Sequence, residues 1–174
     1  MISAKMQDAF NEQINKELYS EYLYQAMAAW FASQGLPGFS NWMRVQAQEE
    51  HFHAMKFYDY VIETGGRVIL EAIAKPPSEF GSPKAAFEAT LEHENFITAS
   101  INGLVDLALE LRDHASNNFL QWYVAEQVEE EANDNAILDQ LKWIKEDGNA
   151  MLMLDKQLAT RVFVPPVSGE PAAG

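Results

Sequence analysis

The chain has 174 residues and no cysteine, with 26 acidic against 12 basic residues for a formal net charge of −14. Its length favours a single domain with enough apolar content, 48%, to bury a sizeable core. The acidity excludes nucleic acid and anionic membranes as expected partners, since phosphate contacts need clustered Lys and Arg, and the lack of cysteine confines any metal chemistry to carboxylates and histidine.

Met1 to Asp8 shows no basic region followed by an apolar one, so no secretory leader is expected. The expected location is cytoplasmic, or a plastid if a eukaryotic transit peptide has been removed. Phe10, Ile14, Glu17, Glu21, Tyr24, Ala28 and Phe31 follow at alternating spacings of four and three, one face of a helix. Gly35-Leu36-Pro37-Gly38 turns the chain. The second stripe is Met43, Gln46, Glu50, His53, Phe57 and Tyr60, closed by Gly65-Gly66. An irregular connection from about 66 to 82 contains Pro76 and Pro77, and Ser82-Pro83 reads as a helix start. The third stripe is Phe87, Leu91, Glu94, Thr98, Ile101, Val105 and Ala108, ending at a break over 112–116. The fourth is Leu120, Tyr123, Gln127, Glu130, Asp134, Ile137, Leu141 and Ile144. A shorter fifth helix, about Asn149 to Thr160, carries Leu154 and Leu158. Residues 164–174 hold three prolines and two glycines and read as a flexible tail, leaving 1–163 as the folded domain. No stretch is an apolar run of the roughly 18 residues that a membrane span needs.

The two short turns predict antiparallel helix pairs. The long connection has a geometric use, because a helix of roughly 27 residues is about 40 Å long and some 17 extended residues reach about 55 Å. It can run the length of a bundle and set helices two and three parallel. The expected fold is all-α: a four-helix bundle with one long crossover and a short fifth C-terminal helix.

Each long stripe is apolar except near its middle. Helix one supplies Glu17, helix two Glu50 and His53, helix three Glu94, and helix four Gln127 and Glu130. In Glu50-x-x-His53 both groups share a helix face. Four bare carboxylates inside an apolar bundle would each cost several kcal/mol of desolvation or more, and they repel one another. Partial protonation would relieve them; so would two divalent cations, whose charge balances four carboxylates with neutral His53 as an added ligand. Oxygen-rich ligation with one imidazole suits iron or manganese, and zinc would also bind. The bland alternative is four boundary glutamates reaching water. Glu21 and Asp134, one turn beyond Glu17 and Glu130, are expected at the same end of the bundle, as a carboxylate step by which metal ions enter or leave or else as an intersubunit contact.

Over about residues 5 to 160 the chain resembles the bacterial non-haem ferritins. The resemblance rests on Asn11-Glu12-Gln13-Ile14-Asn15-Lys16-Glu17-Leu18-Tyr19-Ser20, on Tyr24, and on Ala47-Gln48-Glu49-Glu50 with His53. It continues through His93-Glu94, the run Phe119 to Glu131, and Asp155-Lys156-Gln157-Leu158. It implies a ferritin-like bundle and a di-iron centre at which Fe²⁺ is oxidised to Fe³⁺ by dioxygen. Glu17, Glu50 and His53 would hold one iron, and Glu50, Glu94 and Glu130 the other. Gln127 would hydrogen-bond near the oxygen site, and Tyr24 and Trp122 resemble residues that supply an electron. Glu49, Glu126 and Glu129 with Glu130 would make a third iron position, or else form a solvated acidic face. The resemblance also implies a homo-oligomeric shell of 24 subunits storing a ferric mineral. No haem is expected, since helix four has Gln127-x-x-Glu130 in place of a second Glu-x-x-His, and Phe52 stands where a haem-ligating methionine would fall. The rival functions are a non-storing di-metal oxidoreductase or peroxidase and a structural cage subunit.

Overall fold

The structure is a computed structural model that describes residues 1–145 and 147–165. Five helices form among the described residues: α1 (Ala4–Ser33), α2 (Pro37–Glu63), α3 (Pro83–Glu110), α4 (His114–Ile144) and α5 (Gly148–Leu158). This is the all-α architecture that the stripes predict. The fifth helix stops before the expected Thr160, because Thr160 and Arg161 close tighter turns onto the carbonyls of Gln157 and Leu158. Beyond Pro165 the expected tail lies outside the described residues.

Most helix starts are capped locally. Ser3, Ser82, Asp113 and Asp147 each accept a hydrogen bond from a backbone N–H in the first turn of the helix they precede. At α2 the N-cap position is Leu36, which has no side-chain acceptor. Asp155 of α5 does the work instead: its Oδ1 accepts from the N–H of Gly38 at 2.8 Å and of Phe39 at 3.0 Å. A carboxylate there also complements the positive end of the helix dipole. The approach requires glycine at 38, where a Cβ would lie 1.6 Å from the Asp155 carbonyl oxygen.

Contacts between helices fix their directions. Lys16 meets Ser100, Ser20 meets His93 and Met27 meets Thr90, so α1 and α3 are antiparallel. Gln46 meets Glu130, the His53 carbonyl meets Tyr123 and Tyr60 meets Ser116, which sets α2 against α4. Glu21 pairs with His51 and Ser40 with the Ala28 carbonyl, so α1 and α2 are antiparallel as well. It follows that α2 and α3 run parallel, as the long connection predicts, and that α1 and α4 do too. The crossover follows α1 on a ladder of amide side chains one turn apart. Gln7 Oε1 accepts from the Arg67 N–H, Asn11 bonds the Arg67 carbonyl and the Ile69 N–H, and Asn15 reaches the Glu71 and Ala72 carbonyls. Those bonds satisfy backbone groups that an extended strap cannot pair for itself.

The apolar core is split into two clusters. One surrounds Tyr24, Met27, Phe31, Phe39, Trp42 and Phe87 and takes in Leu154 and Leu158 of α5. The other contains Met6, Phe10, Ile14, Phe57, Ile97, Leu120 and Tyr123. Between them lies a layer of buried polar residues. On α3 the expected Phe87, Glu94, Ile101 and Ala108 are buried, but the face between them is completed by Thr90, Ile97 and Leu104 rather than by Leu91, Thr98 and Val105, so the stripe keeps its seven-residue period and lies on the other flank of the same seam.

We expect Gly38→Ala to lower thermal stability by several kcal/mol through displacement of α5. Gly103→Ala, on α3 with nothing within 4 Å of the added carbon, should raise it by about 1 kcal/mol. Differential scanning calorimetry of the two variants checks the contrast.

Candidate metal centre

The polar layer is where the four long helices contribute one carboxylate each. Glu17, Glu50 and Glu94 are 1% exposed, Glu130 is 4% and His53 is 2%. The boundary alternative, glutamates turned to water, is therefore not what the fold produces. One ligand atom each from Glu17, Glu50 and His53 lie within 4.8 Å of one another, and so do atoms of His53, Glu126 and Glu130. His53 Nδ1 is 3.6 Å from Glu50 Oε2, and its Nε2 is 3.8 Å from Glu126 Oε1. Among the described residues, Glu17 Oε2 has no hydrogen-bond partner. An orphaned carboxylate oxygen beside three further buried carboxylates and an imidazole fits a hard or borderline divalent cation.

Burial pushes the carboxyls of Glu17, Glu50 and Glu94 above their ordinary range, and that of Glu130 to about 7, with the neighbouring glutamates adding repulsion at Glu50 and Glu130. Burial alone would depress His53, but its contacts with Glu126 and Glu50 outweigh that and hold the imidazole protonated well above its usual range. Burial and mutual repulsion thus raise the layer's affinity for protons. Cations binding here must displace them.

The remaining candidates fall into place around this layer. Tyr24 OH donates to Glu94 Oε1 in a short hydrogen bond. Gln127 Nε2 donates to the other oxygen of Glu94 at 3.1 Å. The Trp122 indole stands edge-on to His53, with ring centres 5.4 Å apart. Glu49, Glu126 and Glu129 are part-buried on the α2 and α4 side of the layer. Burial raises Glu49 to about 7 even with the Arg161 guanidinium beside it, and raises Glu129 as well. The pairing of Glu21 with Asp134 is not formed. Glu21 turns to the outer face of α1, where His51 Nδ1 lies 3.0 Å from its Oε2 and Gln25 donates to its Oε1. Asp134 stays inside at 1% exposure, and among the described residues neither of its oxygens has a partner.

Two glutamines and an arginine at the site were not singled out from the sequence. Gln13 Nε2 donates to Glu17 Oε1 at 2.8 Å, while its own Oε1 accepts from Ser100 Oγ, which in turn accepts from Lys16 Nζ. Gln46 Nε2 donates to Glu130 Oε2 at 2.7 Å and to Glu50 Oε1 at 3.3 Å, and its Oε1 accepts from Arg161. Each amide thus relays a surface cation's polarity to a buried carboxylate. A local signal existed: Gln13 precedes Glu17, and Gln46 precedes Glu50, by four residues on the same helix face. Arg161, beyond the last helix, carries no such periodic cue.

A four-helix bundle with one long crossover and a central carboxylate–histidine layer is the ferritin-like class of helical bundle. The model of the ferritin-like domain matches residues 7–144. A probable bacterial non-haem ferritin-like protein of Haemophilus influenzae is 42% identical over 158 residues, covering 91% of this chain and 96% of that one. A bacterial non-haem ferritin of Campylobacter jejuni is 42% identical over 91% of this chain and 95% of its own. The crystal structure of an open pore ferritin from the archaeon Archaeoglobus fulgidus is 57% identical, with a TM-score of 0.92 over 93% of this chain and all of that one. The chain belongs to the ferritin family.

Burial raises the Asp134 carboxyl to about 9, and Glu94 and Glu130 reinforce the shift while Arg161 opposes it; Tyr24 faces it from α1. A folded-state value above the unfolded one, about 3.9, means that stability is full below the unfolded value and is lost as pH rises toward the folded one. Asp134→Asn, which mimics the protonated acid, should match the wild-type apoprotein near pH 4 and exceed it by of order 3 kcal/mol at pH 7. Denaturant unfolding at the two pH values measures the difference.

Proposed function

We propose that this chain is a subunit of an iron-storing ferritin whose central layer is a ferroxidase centre. The observation that carries the reading is the burial of four carboxylates, one from each long helix, in one layer with His53. Fe²⁺ is the substrate. Glu17, Glu50 and His53 bind one ion, Glu50, Glu94 and Glu130 bind a second, and Glu50 is shared. The two bound Fe²⁺ give one electron each to one dioxygen, which takes up two protons and leaves as hydrogen peroxide, and both ions leave as Fe³⁺. The protein's part is to hold two cations at short range, to supply the negative charge that favours the ferric state, and to keep the site dry.

The supporting residues have definite tasks in this reading. Gln13, Gln46 and Gln127 aim N–H groups at the carboxylates and so fix which oxygens face the metals. Tyr24, bonded to Glu94, and Trp122, against His53, are placed to supply a further electron. Glu49, Glu126 and Glu129 with Glu130 form a third cation position. Storage needs an enclosed volume, which we propose is a shell of 24 subunits. Large apolar side chains left exposed on the helices, among them Tyr22, Ile62, Phe96, Leu109 and Trp143, are ones that contact with neighbouring subunits would cover. No helix of the described residues is long and apolar enough to cross a membrane.

Anaerobic calorimetry should find close to two tightly bound Fe²⁺ per chain, with protons released. Glu50→Ala should weaken both ions by at least about tenfold, since it removes the shared ligand. Aerobic loading should give a particle carrying iron far beyond that stoichiometry; uptake that stops at two or three ions per chain would assign the protein to non-storing di-metal enzymes. Because bound Fe²⁺ replaces protons, the affinity should rise between pH 6 and 7.5.

A further inference from the structure

One positive charge at the acidic cluster comes from beyond α5. Arg161 leaves the end of α5 and turns back over α2. Its Nη2 bonds Glu49 Oε2 at 2.5 Å, its Nη1 bonds Gln46 Oε1 at 2.8 Å, and the guanidinium lies 4.4 Å over the Trp42 ring. The side chain is only 20% exposed and its Glu49 partner 21%. The backbone that delivers it is held too: Asn41 Nδ2 bonds the carbonyl of Arg161 at 3.0 Å, and Asp155 ties α5 to the start of α2. We propose that Arg161 is a resident counter-cation of the third iron position, so that a third Fe²⁺ reaches Glu49 only by displacing the guanidinium.

The inference rests on the ferroxidase reading and adds what sets the order of filling. Glu49 is one of four carboxylates assigned to that position. With a guanidinium on one of its oxygens, it offers a third ion less charge and fewer lone pairs. The same side chain orients Gln46. An amide has an accepting end and a donating end, and a fixed donor on Oε1 leaves Nε2 facing Glu130 and Glu50. Arg161 is thus a positioning residue for two carboxylates of the inner pair and a competitor at the outer position. Loading the inner pair first is the consequence. Lysine would not reproduce this, because a single ammonium lacks the planar fork that spans Gln46 and Glu49 together.

The test is anaerobic calorimetric titration of Fe²⁺ into the assembled wild-type, Arg161→Gln and Arg161→Lys proteins, with melting temperature measured alongside. We expect the wild type to bind two ions tightly and a third weakly. In Arg161→Gln the third ion should bind at least tenfold tighter, while Arg161→Lys should show a smaller gain. A merely structural arginine would lower the melting temperature and leave the third affinity unchanged or weaker, and that result overturns the proposal. Should Arg161→Gln fail to assemble, a third affinity in Arg161→Lys equal to the wild type's overturns it equally. Loss of the first two ions from the wild-type protein would instead defeat the ferroxidase reading, and the role of Arg161 with it.

Discussion

Four carboxylates that share one dry layer constrain everything else in this bundle. Their mutual repulsion and lost hydration would each cost several kcal/mol if they stayed bare and charged, and the chain answers with several devices at once. Burial raises their affinity for protons, the His53 imidazole lies among them, and three buried glutamines point N–H groups at them. None of these removes the demand for positive charge. Four buried carboxylates with one histidine make a cluster that can hold a cation.

The rest of the architecture serves that layer. Two apolar clusters, one above and one below, clamp it between aromatic packing such as Phe31 on Phe39 and Phe57 on Tyr123. The clusters carry the hydrophobic stabilisation, which leaves the middle of the bundle free to be polar. The crossover lets α2 run parallel to α3, and its first part is held to α1 by amides on three successive turns rather than by its own secondary structure. At the turn end, α5 supplies the missing cap of α2 and delivers Arg161 to the acidic face. The smallest helix therefore links the stability of the fold to the charge at its centre.

Much of the site could be read from the chain because the helix is a regular ruler. Glu17, Glu50, His53, Glu94 and Glu130 lie on stripes whose spacing places them on one face, and four stripes interrupted at mid-length can meet only in one layer. The same ruler misplaced Glu21: spacing set it on the inner stripe, yet its side chain swings to His51 on the outer face of the hairpin. A residue at the edge of a stripe has two places to go, and periodicity cannot choose between them. Asp134, nearer the stripe's centre, had no such freedom and stayed buried.

By itself the sequence determined the helices, their order, the direction of each and the four carboxylates with their histidine, because those follow from period and loop length. Only the tertiary structure decided which amide end faces which glutamate, that Asp155 caps a helix more than a hundred residues away, and that Arg161 returns to Glu49. Those contacts join segments with no shared period. They depend on where the end of one helix lands on the side of another, and that is settled by packing in three dimensions.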